Sequence, residues 1–463
     1  MAHDELYFAT IDELERQLRK RRISSVEMTG IFLDRLQEFG PRYNALAELT
    51  REHALANARR ADRLLRSRSR NTSPILGIPY GAKDLLASKG IPTRWGSPAH
   101  RDQVFDYDAT VIRKLDQAGG VMVGKLAMVE LAGGGGYDLA SASLHGPGLN
   151  PWNMDHWSGG SSSGSGSAVA AGLVPFALGS ETWGSIITPS AFCGVTGLRP
   201  TWGLVSRYGA MELAWSMDKV GPIAKSAKDC GMILEVIAGP DEHDPTTRRT
   251  FKFNRRPHKR DYRVGILAAD LDDEPEIDKA FESALRVLRK VGLKLRRTEL
   301  PDHPYADTAS TLLSGETAGA HKEFLESEGL GSLVDGGQKE RLVQTLDLRA
   351  GDYSRALLKR QQINRDLLKL FDRFDALVSP SIVGEANTLD TNLRKAFRKR
   401  GNYSVLGALA GLPALTMPMG FGRRGLPLGL TITGNLFGEN ILLQIGMLFQ
   451  RETDWHHEHP RVG

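Results

Sequence analysis

The sequence predicts an α/β fold, and three observations lead to that prediction. Capped amphipathic helices dominate residues 1–70, short apolar runs alternate with glycine and proline from Pro74 to Pro222, and this alternation returns after a helical stretch at 276–375. Alternating strand-like and helical segments are typical of a sheet covered by helices. The 463-residue chain carries a net charge of only +5, so it can bury a large core and requires no polyanionic partner.

The N-terminal region reads as three helices. Thr10-x-x-Glu13 and Ser24-x-x-Glu27 are capping-box patterns, in which each side chain satisfies a free amide at the start of a helix. A third helix is expected from about Asn44 to the arginine-rich segment at 66–70. Charged residues begin within the first few positions of the chain, and this region lacks the apolar core of a signal peptide.

The central region supplies most of the predicted strands. We expect a strand in "PILGIPYGAKDLL", a helix in "ATVIRKLDQAGG" that ends at Gly119, a strand in "VMVGK", and a helix followed by a strand in "AVAAGLVPFALGS". The last of these is the most apolar part of the chain, but Gly172 and Pro175 interrupt it. It is therefore too short to cross a membrane.

The C-terminal region is expected to return to the sheet. "YRVGILAAD" reads as a strand, and "LAGLPALTMPMGF" and "GLPLGLTITG" read as two more. We therefore expect one domain over 1–463. It comprises N-terminal helices at 1–70, a core at 71–240, a mostly helical insertion at 276–375 and C-terminal strands at 376–463 that rejoin the first sheet.

Composition excludes several classes of protein. Two cysteines, Cys193 and Cys230, are too few for a disulfide scaffold and indicate a reducing, cytoplasmic location. The His456-His457-x-His459 group reads as a solvated tail, and no metal or cofactor is expected. Eight Lys or Arg residues lie between Arg248 and Arg263, but few aromatic residues are interleaved, so we interpret them as a solvated connector and expect no direct nucleic-acid binding.

Two short motifs match known sites incompletely. Gly119-x4-Gly124-Lys125 fits most of a phosphate-binding loop, but Leu126 stands where Ser or Thr should hold magnesium, and a strand fills the supposed loop. Gly160–Gly164 fits G-x-S-x-G, but "NPWNMDHWS" before it is no apolar core strand. The glycine run at 133–136 is compatible with a flexible loop or with close approach of backbone to a ligand.

Four longer stretches carry a specific resemblance. They are "GIPYGAKDLL" at 77–86, the segment from "NPWNMDHWSGGSSSGSGS" through "GSETWGSIITPSAFCGVTGLRPTWG" within 150–210, "DKVGPIAKSAKDC" at 218–230, and "AGLPALTMPMGF…GLPLGLTITG" at 410–434. Together they resemble the amidase signature family along nearly the whole chain. This resemblance implies one large twisted mixed β-sheet with helices on both faces.

The resemblance also implies a Ser–Ser–Lys triad, with Ser185 as nucleophile, Lys83 as base and Ser161 as proton relay. It further implies a cis peptide bond at Gly160–Ser161. A lysine can act as a base only when it is neutral, and the apolar neighbours of Lys83 fit a lowered pKa, because burial disfavours the ammonium form.

The turn before the nucleophile is expected to form an oxyanion hole from the backbone N–H groups of Thr182, Trp183, Gly184 and Ser185. Relatives commonly carry glycine where Trp183 stands, Asp where Glu181 stands, and Asn where Ala127 stands. Glu181 is expected to brace the loop, and Trp183 to fill part of the pocket or stack on the substrate. We expect Gly133, Gly134 and Ser162 to line the substrate site.

The leading hypothesis is an amidase that hydrolyses a small carboxylic amide through an acyl-enzyme. The alternative within the family is the glutamine-hydrolysing A subunit of a tRNA-dependent amidotransferase. A third hypothesis is a binding protein that keeps the fold without catalysis, which the intact triad positions disfavour. A homodimer fits the first reading and partner subunits fit the second.

Overall fold

The computed structural model describes residues 3–67, 73–257, 261–267, 274–399 and 403–462. Within these ranges, eleven strands form one mixed sheet and two form a separate hairpin. The strands are β1 Leu46–Leu49, β2 Pro79–Lys83, β3 Val121–Leu126, β4 Leu149–Asn150, β5 Asn153–Trp157, β6 Phe176–Glu181, β7 Thr196–Arg199, β8 Lys219–Ala224, β9 Arg263–Leu267, β10 Lys294–Thr298, β11 Ala376–Pro380, β12 Ala414–Phe421 and β13 Pro427–Gly434.

Helices cover both faces of this sheet, as predicted. The α-helices of the described residues are α1 His3–Tyr7, α2 Ile11–Arg19, α3 Ser25–Phe39, α4 Arg51–Arg66, α5 Thr110–Gln117, α6 Ser163–Ala170, α7 Ile187–Cys193, α8 Ala227–Ile237, α9 Pro275–Lys290, α10 Tyr305–Ala320, α11 Lys322–Leu325, α12 Gly336–Gln344, α13 Ala350–Leu368, α14 Leu370–Arg373, α15 Leu393–Lys399, α16 Val405–Ala410 and α17 Glu439–Gln450. None of the helices in these ranges is long and apolar enough to span a bilayer.

The sheet order is β1-β3-β2-β6-β8-β7-β12-β13-β11-β9-β10. β2 is parallel to both of its neighbours, β3 and β6, while β6 pairs with β8 in antiparallel fashion. The C-terminal strand β12 pairs with β7 of the central region, so the end of the chain does rejoin the first sheet.

Most sequence-predicted elements are present. Both capping boxes, at Thr10 and Ser24, form with reciprocal hydrogen bonds. The predicted strand in "VMVGK", which overlaps the incomplete phosphate-binding motif, is β3, and Gly119 follows α5 with a φ of +84°. A left-handed φ at this position suits glycine, which has no Cβ to clash.

One predicted element was wrong. The expected helix from Asn44 is a strand, β1, followed by α4 from Arg51, because tertiary pairing with β3 overrides the helical propensity of "NALAEL". The insertion at 276–375 contains strand β10, which pairs with β9. The residues before the Gly–Ser stretch include strand β5, which pairs with β4 outside the large sheet and forms a further bridge between His156 and Thr388. Residues 68–70 of the expected arginine-rich helix end lie outside the described residues, as do residues 258–260 of the basic connector.

Candidate active site

Lys83 is the last residue of β2, the third strand from the β1 edge of the sheet. Its Nζ atom lies 2.8 Å from Ser161 Oγ and 2.9 Å from Ser180 Oγ on the neighbouring parallel strand β6. Because the carboxyl ends of parallel strands meet at one edge of a sheet, β2 and β6 bring the amine and the Ser180 hydroxyl together. The adjacent residue Asp84 points to the opposite side, where its carboxylate lies 3.6 Å from Lys125 Nζ.

The Lys83 side chain is fully buried. Burial lowers the pKa of its amine to about 7, while the nearby carboxylates of Asp218 and Glu181 act in the opposite direction to a smaller extent. A substantial fraction of this lysine is therefore neutral at physiological pH, which is the form that can accept a proton.

The Gly–Ser stretch "GGSSSGSGS" is not a linker. Its first part is a buried loop and its second part, from Ser163, begins helix α6. The Gly160–Ser161 peptide bond is cis, as the family resemblance implied. Glycine is required next to it, because a Cβ on Gly159 would approach Pro189 Cα to 2.7 Å and one on Gly160 would approach the Trp157 ring to 2.7 Å. Ser161 is further fixed by its carbonyl oxygen, which accepts a hydrogen bond from Val129 N at 3.1 Å.

Ser185 lies in the turn between β6 and α7, and it is 9% exposed. The N–H groups of Thr182, Trp183, Gly184 and Ser185 donate to no side chain, loop or turn acceptor within the described residues. Gly184 has a φ of +88°, which turns the backbone sharply before the nucleophile position. Within the same residues, the Ser161 and Ser185 side chains are not hydrogen-bonded to each other, although Ser162 N donates to Ser185 O at 3.3 Å. Catalytic hydrogen bonds are often long in a free enzyme and shorten when substrate binds.

Buried charges hold both ends of this turn. Glu181 accepts hydrogen bonds from the N–H groups of Ile186 and Ile187 at 2.8 and 3.0 Å, so it does brace the loop. Its other oxygen lies 2.6 Å from Arg199 Nη1. Burial favours a higher pKa for Glu181, but the charges of Arg199 and Lys219 outweigh it and lower the pKa, keeping the carboxylate ionised.

Asp218 and Lys219 hold the turn near Thr182. The Thr182 hydroxyl donates to Asp218 Oδ1 at 2.5 Å, and Lys219 Nζ donates to Thr182 O at 3.4 Å. Burial lowers the pKa of Lys219 to about 7, and the charge of Arg199 acts in the same direction. The turn that carries Ser185 is thus fixed by buried side chains from β7 and β8.

We expect Arg199→Met to lower the free energy of unfolding by about 3–5 kcal/mol, because it leaves the Glu181 carboxylate buried without its partner. Urea unfolding monitored by circular dichroism measures the change. Arg255→Met is the matched control, because the Arg255–Glu235 pair is 45% and 25% exposed and should contribute less than about 1 kcal/mol. Equal losses in the two variants would show that the buried pair does not stabilise the turn.

The other residues expected at the site lie close to it. Ser162 Oγ donates to Ser180 O at 3.2 Å and accepts from Ser180 N at 3.3 Å, so it links the serine loop to β6. The Trp183 indole packs against the apolar cluster around α10, α13 and α16. Ala127 is buried, and its carbonyl oxygen accepts a hydrogen bond from Gly164 N at 2.9 Å, at the start of α6.

Gly133 and Gly134 are buried beneath side chains rather than forming an open backbone surface. A Cβ on Gly133 would approach the Tyr137 ring to 2.5 Å, and one on Gly134 would approach Leu213 to 2.9 Å. Their contact with substrate stays a prediction.

Sequence reasoning missed Ser180, the second hydrogen-bond partner of Lys83, and the residues that hold the turn, Asp218, Lys219 and Arg199. The sequence places Ser180 in the predicted strand "VPFALGS", but that this strand lies beside the lysine strand is known only from the structure. No local pattern in the sequence predicts the contact between Glu181 and Arg199, because it depends on how β6 and β7 are arranged in the folded sheet.

A cavity lies beside β6 and β8, next to the turn that carries Ser185. Apolar and polar residues line it in equal number: Leu85, Ala132, Ala210, Met211, Leu213 and Val220 on one hand, and Ser180, Thr182, Arg207, Glu212, Asp218 and Lys219 on the other. The lining therefore offers hydrogen-bonding and charged groups beside its apolar surface, a combination that can orient a polar ligand.

Comparison with known proteins agrees with this geometry. The family model described as Amidase matches residues 27–443. The chain is 35% identical to the glutamyl-tRNA(Gln) amidotransferase A subunit of Moorella thermoacetica, over 99% of both chains. Among solved structures, the native peptide amidase of Stenotrophomonas maltophilia matches with a TM-score of 0.87 and 30% identity, over 98% of both chains. The glutamyl-tRNA(Gln) amidotransferase A subunit of Thermotoga maritima matches with a TM-score of 0.81 and 26% identity, over 99% of this chain and 98% of the other.

The family match covers most of the chain, and the relatives align from end to end with the same fold. The chain therefore belongs to the amidase family and is an enzyme that hydrolyses amide C–N bonds.

Proposed function

We propose that this amidase hydrolyses a small carboxylic amide through an acyl-enzyme on Ser185. The observation that carries the proposal is the buried Lys83 amine, which has a lowered pKa and lies 2.8 Å from Ser161 Oγ. A neutral amine accepts the Ser161 proton, Ser161 takes the proton of Ser185, and Ser185 Oγ attacks the amide carbon.

The remaining steps restore the free enzyme. The amide oxygen becomes negatively charged as the tetrahedral intermediate forms, and the N–H groups at 182–185, which donate to no loop or turn acceptor in the described residues, are suited to stabilise it. The C–N bond then breaks as the proton returns through Ser161 to the leaving nitrogen, which departs as ammonia or an amine. Water attacks the resulting ester, with Lys83 and Ser161 again moving the proton, and releases the carboxylic acid.

The glutamine-hydrolysing subunit of an amidotransferase is the second candidate. The 35% identity to the Moorella amidotransferase protein favours it, whereas the higher structural similarity to the peptide amidase favours an enzyme that acts alone. A partner complex is part of the second candidate only.

Ammonia release by the purified chain separates the two candidates. We expect turnover of at least one primary amide with a kcat/KM above that for glutamine, and purification without partner subunits. Simple aliphatic amides, N-acylated amino acid amides and glutamine form the test panel. Release from glutamine alone, seen only when partner subunits co-purify, would instead establish the amidotransferase function.

A further inference from the structure

The glycine run belongs to a segment with an unusual backbone. Leu131, Ala132, Gly133, Gly135 and Gly136 have φ values of 46°, 53°, 86°, 74° and 74°, all in the left-handed region. Leucine and alanine rarely adopt this conformation, and residues held in it cluster at functional sites. The surrounding structure must therefore hold this segment firmly.

Helix α12 provides one restraint through Arg341. The guanidinium donates to Gly135 O at 2.8 Å, to Gly136 O at 2.9 Å and to Asp138 Oδ2 at 3.0 Å. All three acceptors flank Tyr137. A planar group with several fixed donors defines the position of such a loop better than a single contact does.

Two buried carboxylates provide the second restraint. Asp335 accepts from Asp138 N at 2.6 Å and from Leu139 N at 3.0 Å. Glu130 accepts from Val334 N and Asp335 N, each at 3.0 Å. Hydrogen bonds thus join the glycine segment to α12 and to the residues just before it, on both sides of Tyr137.

These restraints place Tyr137 next to the catalytic serine loop. Its ring lies over Gly133 and meets the Trp157 ring edge-on at 5.8 Å between centroids. Its hydroxyl oxygen lies 3.2 Å from the position that a Cβ on Gly160 would take, one residue before Ser161. Within the described residues this hydroxyl has no hydrogen-bond partner, although the Tyr137 ring is half-buried.

A polar group that lies beside a site and has no hydrogen-bond partner in the protein can form a hydrogen bond with a ligand. Burial raises the pKa of the Tyr137 phenol, so it stays protonated and can donate a hydrogen bond. Nothing in the proposed proton transfers uses this group, because Lys83 and Ser161 already carry the proton.

We propose that the Tyr137 hydroxyl binds the substrate by donating a hydrogen bond to an acceptor on its non-reacting part. This inference rests on the proposed function and narrows its substrate class to amides that carry a second carbonyl group, as N-acylamino acid amides do. Tyr137 is then a residue that determines specificity and has no role in the proton transfers.

The test compares N-acetylglycinamide, which has a second carbonyl, with butyramide, which does not. In the otherwise unchanged protein, Tyr137→Phe should raise KM for N-acetylglycinamide about 3- to 10-fold, the effect of losing one neutral hydrogen bond, with kcat little changed. The KM for butyramide should change less than about 2-fold. Tyr107→Phe, which removes a surface phenol, is the matched control and should affect neither substrate.

Binding in the Ser185→Ala background tests the inference without turnover. NMR titration of N-acetylglycinamide should show the same 3- to 10-fold loss of affinity when Tyr137→Phe is added. No binding of N-acetylglycinamide, no change on adding Tyr137→Phe, or equal changes for both amides would each overturn the inference. Turnover that survives in Ser185→Ala would instead count against the proposed function, and the binding comparison would still decide the role of Tyr137.

Discussion

Ser185→Ala is expected to lower kcat for amide hydrolysis by on the order of 10⁴- to 10⁶-fold, because the substitution removes the nucleophile and the Thr182 hydroxyl in the same turn is held by Asp218. The substitution removes one small hydroxyl from a side chain with little exposure, so the fold should be retained. Ammonia release and circular dichroism on the same preparation measure both effects.

Ser190→Ala is the matched control for this experiment. Ser190 lies on α7, five residues beyond Ser185 in the chain, and its hydroxyl is buried without a partner in the described structure. Its loss should leave turnover close to that of wild type. Full activity in Ser185→Ala would disprove the proposed nucleophile, whereas equal losses in both variants would indicate a general disturbance of the turn.

Replacement of Lys83 is expected to have the second largest effect. Lys83→Ala removes the base, and Lys83→Arg keeps a positive charge that cannot be given up near neutral pH, so both should lose about 10²- to 10⁴-fold in kcat/KM. Activity of Lys83→Arg near the wild-type level would contradict the role of a neutral amine. Lys228→Ala is a suitable control, because that lysine lies in a partly exposed ion pair with Asp12.

The pH profile of the wild-type chain tests the same group. Burial lowers the pKa of Lys83 to about 7, and the active form is the deprotonated one. The value of kcat/KM should therefore rise with pH through about 7 and level off above it. A lysine with an ordinary pKa of about 10.4 would give a profile that still rises above pH 9. That result would show that the site does not lower the pKa of Lys83.

Local signals in the sequence predicted much of the fold. The capping boxes at Thr10 and Ser24 and the break at Gly119 depend on neighbouring residues, so they can be read from one chain. β1 could not be read in this way, because "LAEL" suits a helix and becomes a strand only by pairing with β3. The order of the strands is equally non-local.

Some residues of the site could likewise be predicted from the sequence, and others could not. Lys83, Ser161 and Ser185 were predicted because each lies in a distinctive stretch of sequence, and the structure brings Lys83 and Ser161 within hydrogen-bond distance. Ser180, Arg199 and Tyr137 were missed. Arg199 reaches the carbonyl oxygens of Leu412 and Ser404, more than 200 residues away, and Tyr137 is held by Arg341. Contacts of this range follow from the assembled fold and leave no local pattern.

The place of β13 in the sheet has a consequence for how the protein is made. β9 and β10 join the other strands only through β11, and β11 joins them only through β13, which ends at Gly434. Until the ribosome has released that strand, β12 and β11, the two strands between which it lies, each expose an unpaired edge of the kind that promotes aggregation. A nascent chain that stalls before Gly434 therefore cannot complete its sheet, although Lys83, Ser161 and Ser185 have already been synthesised.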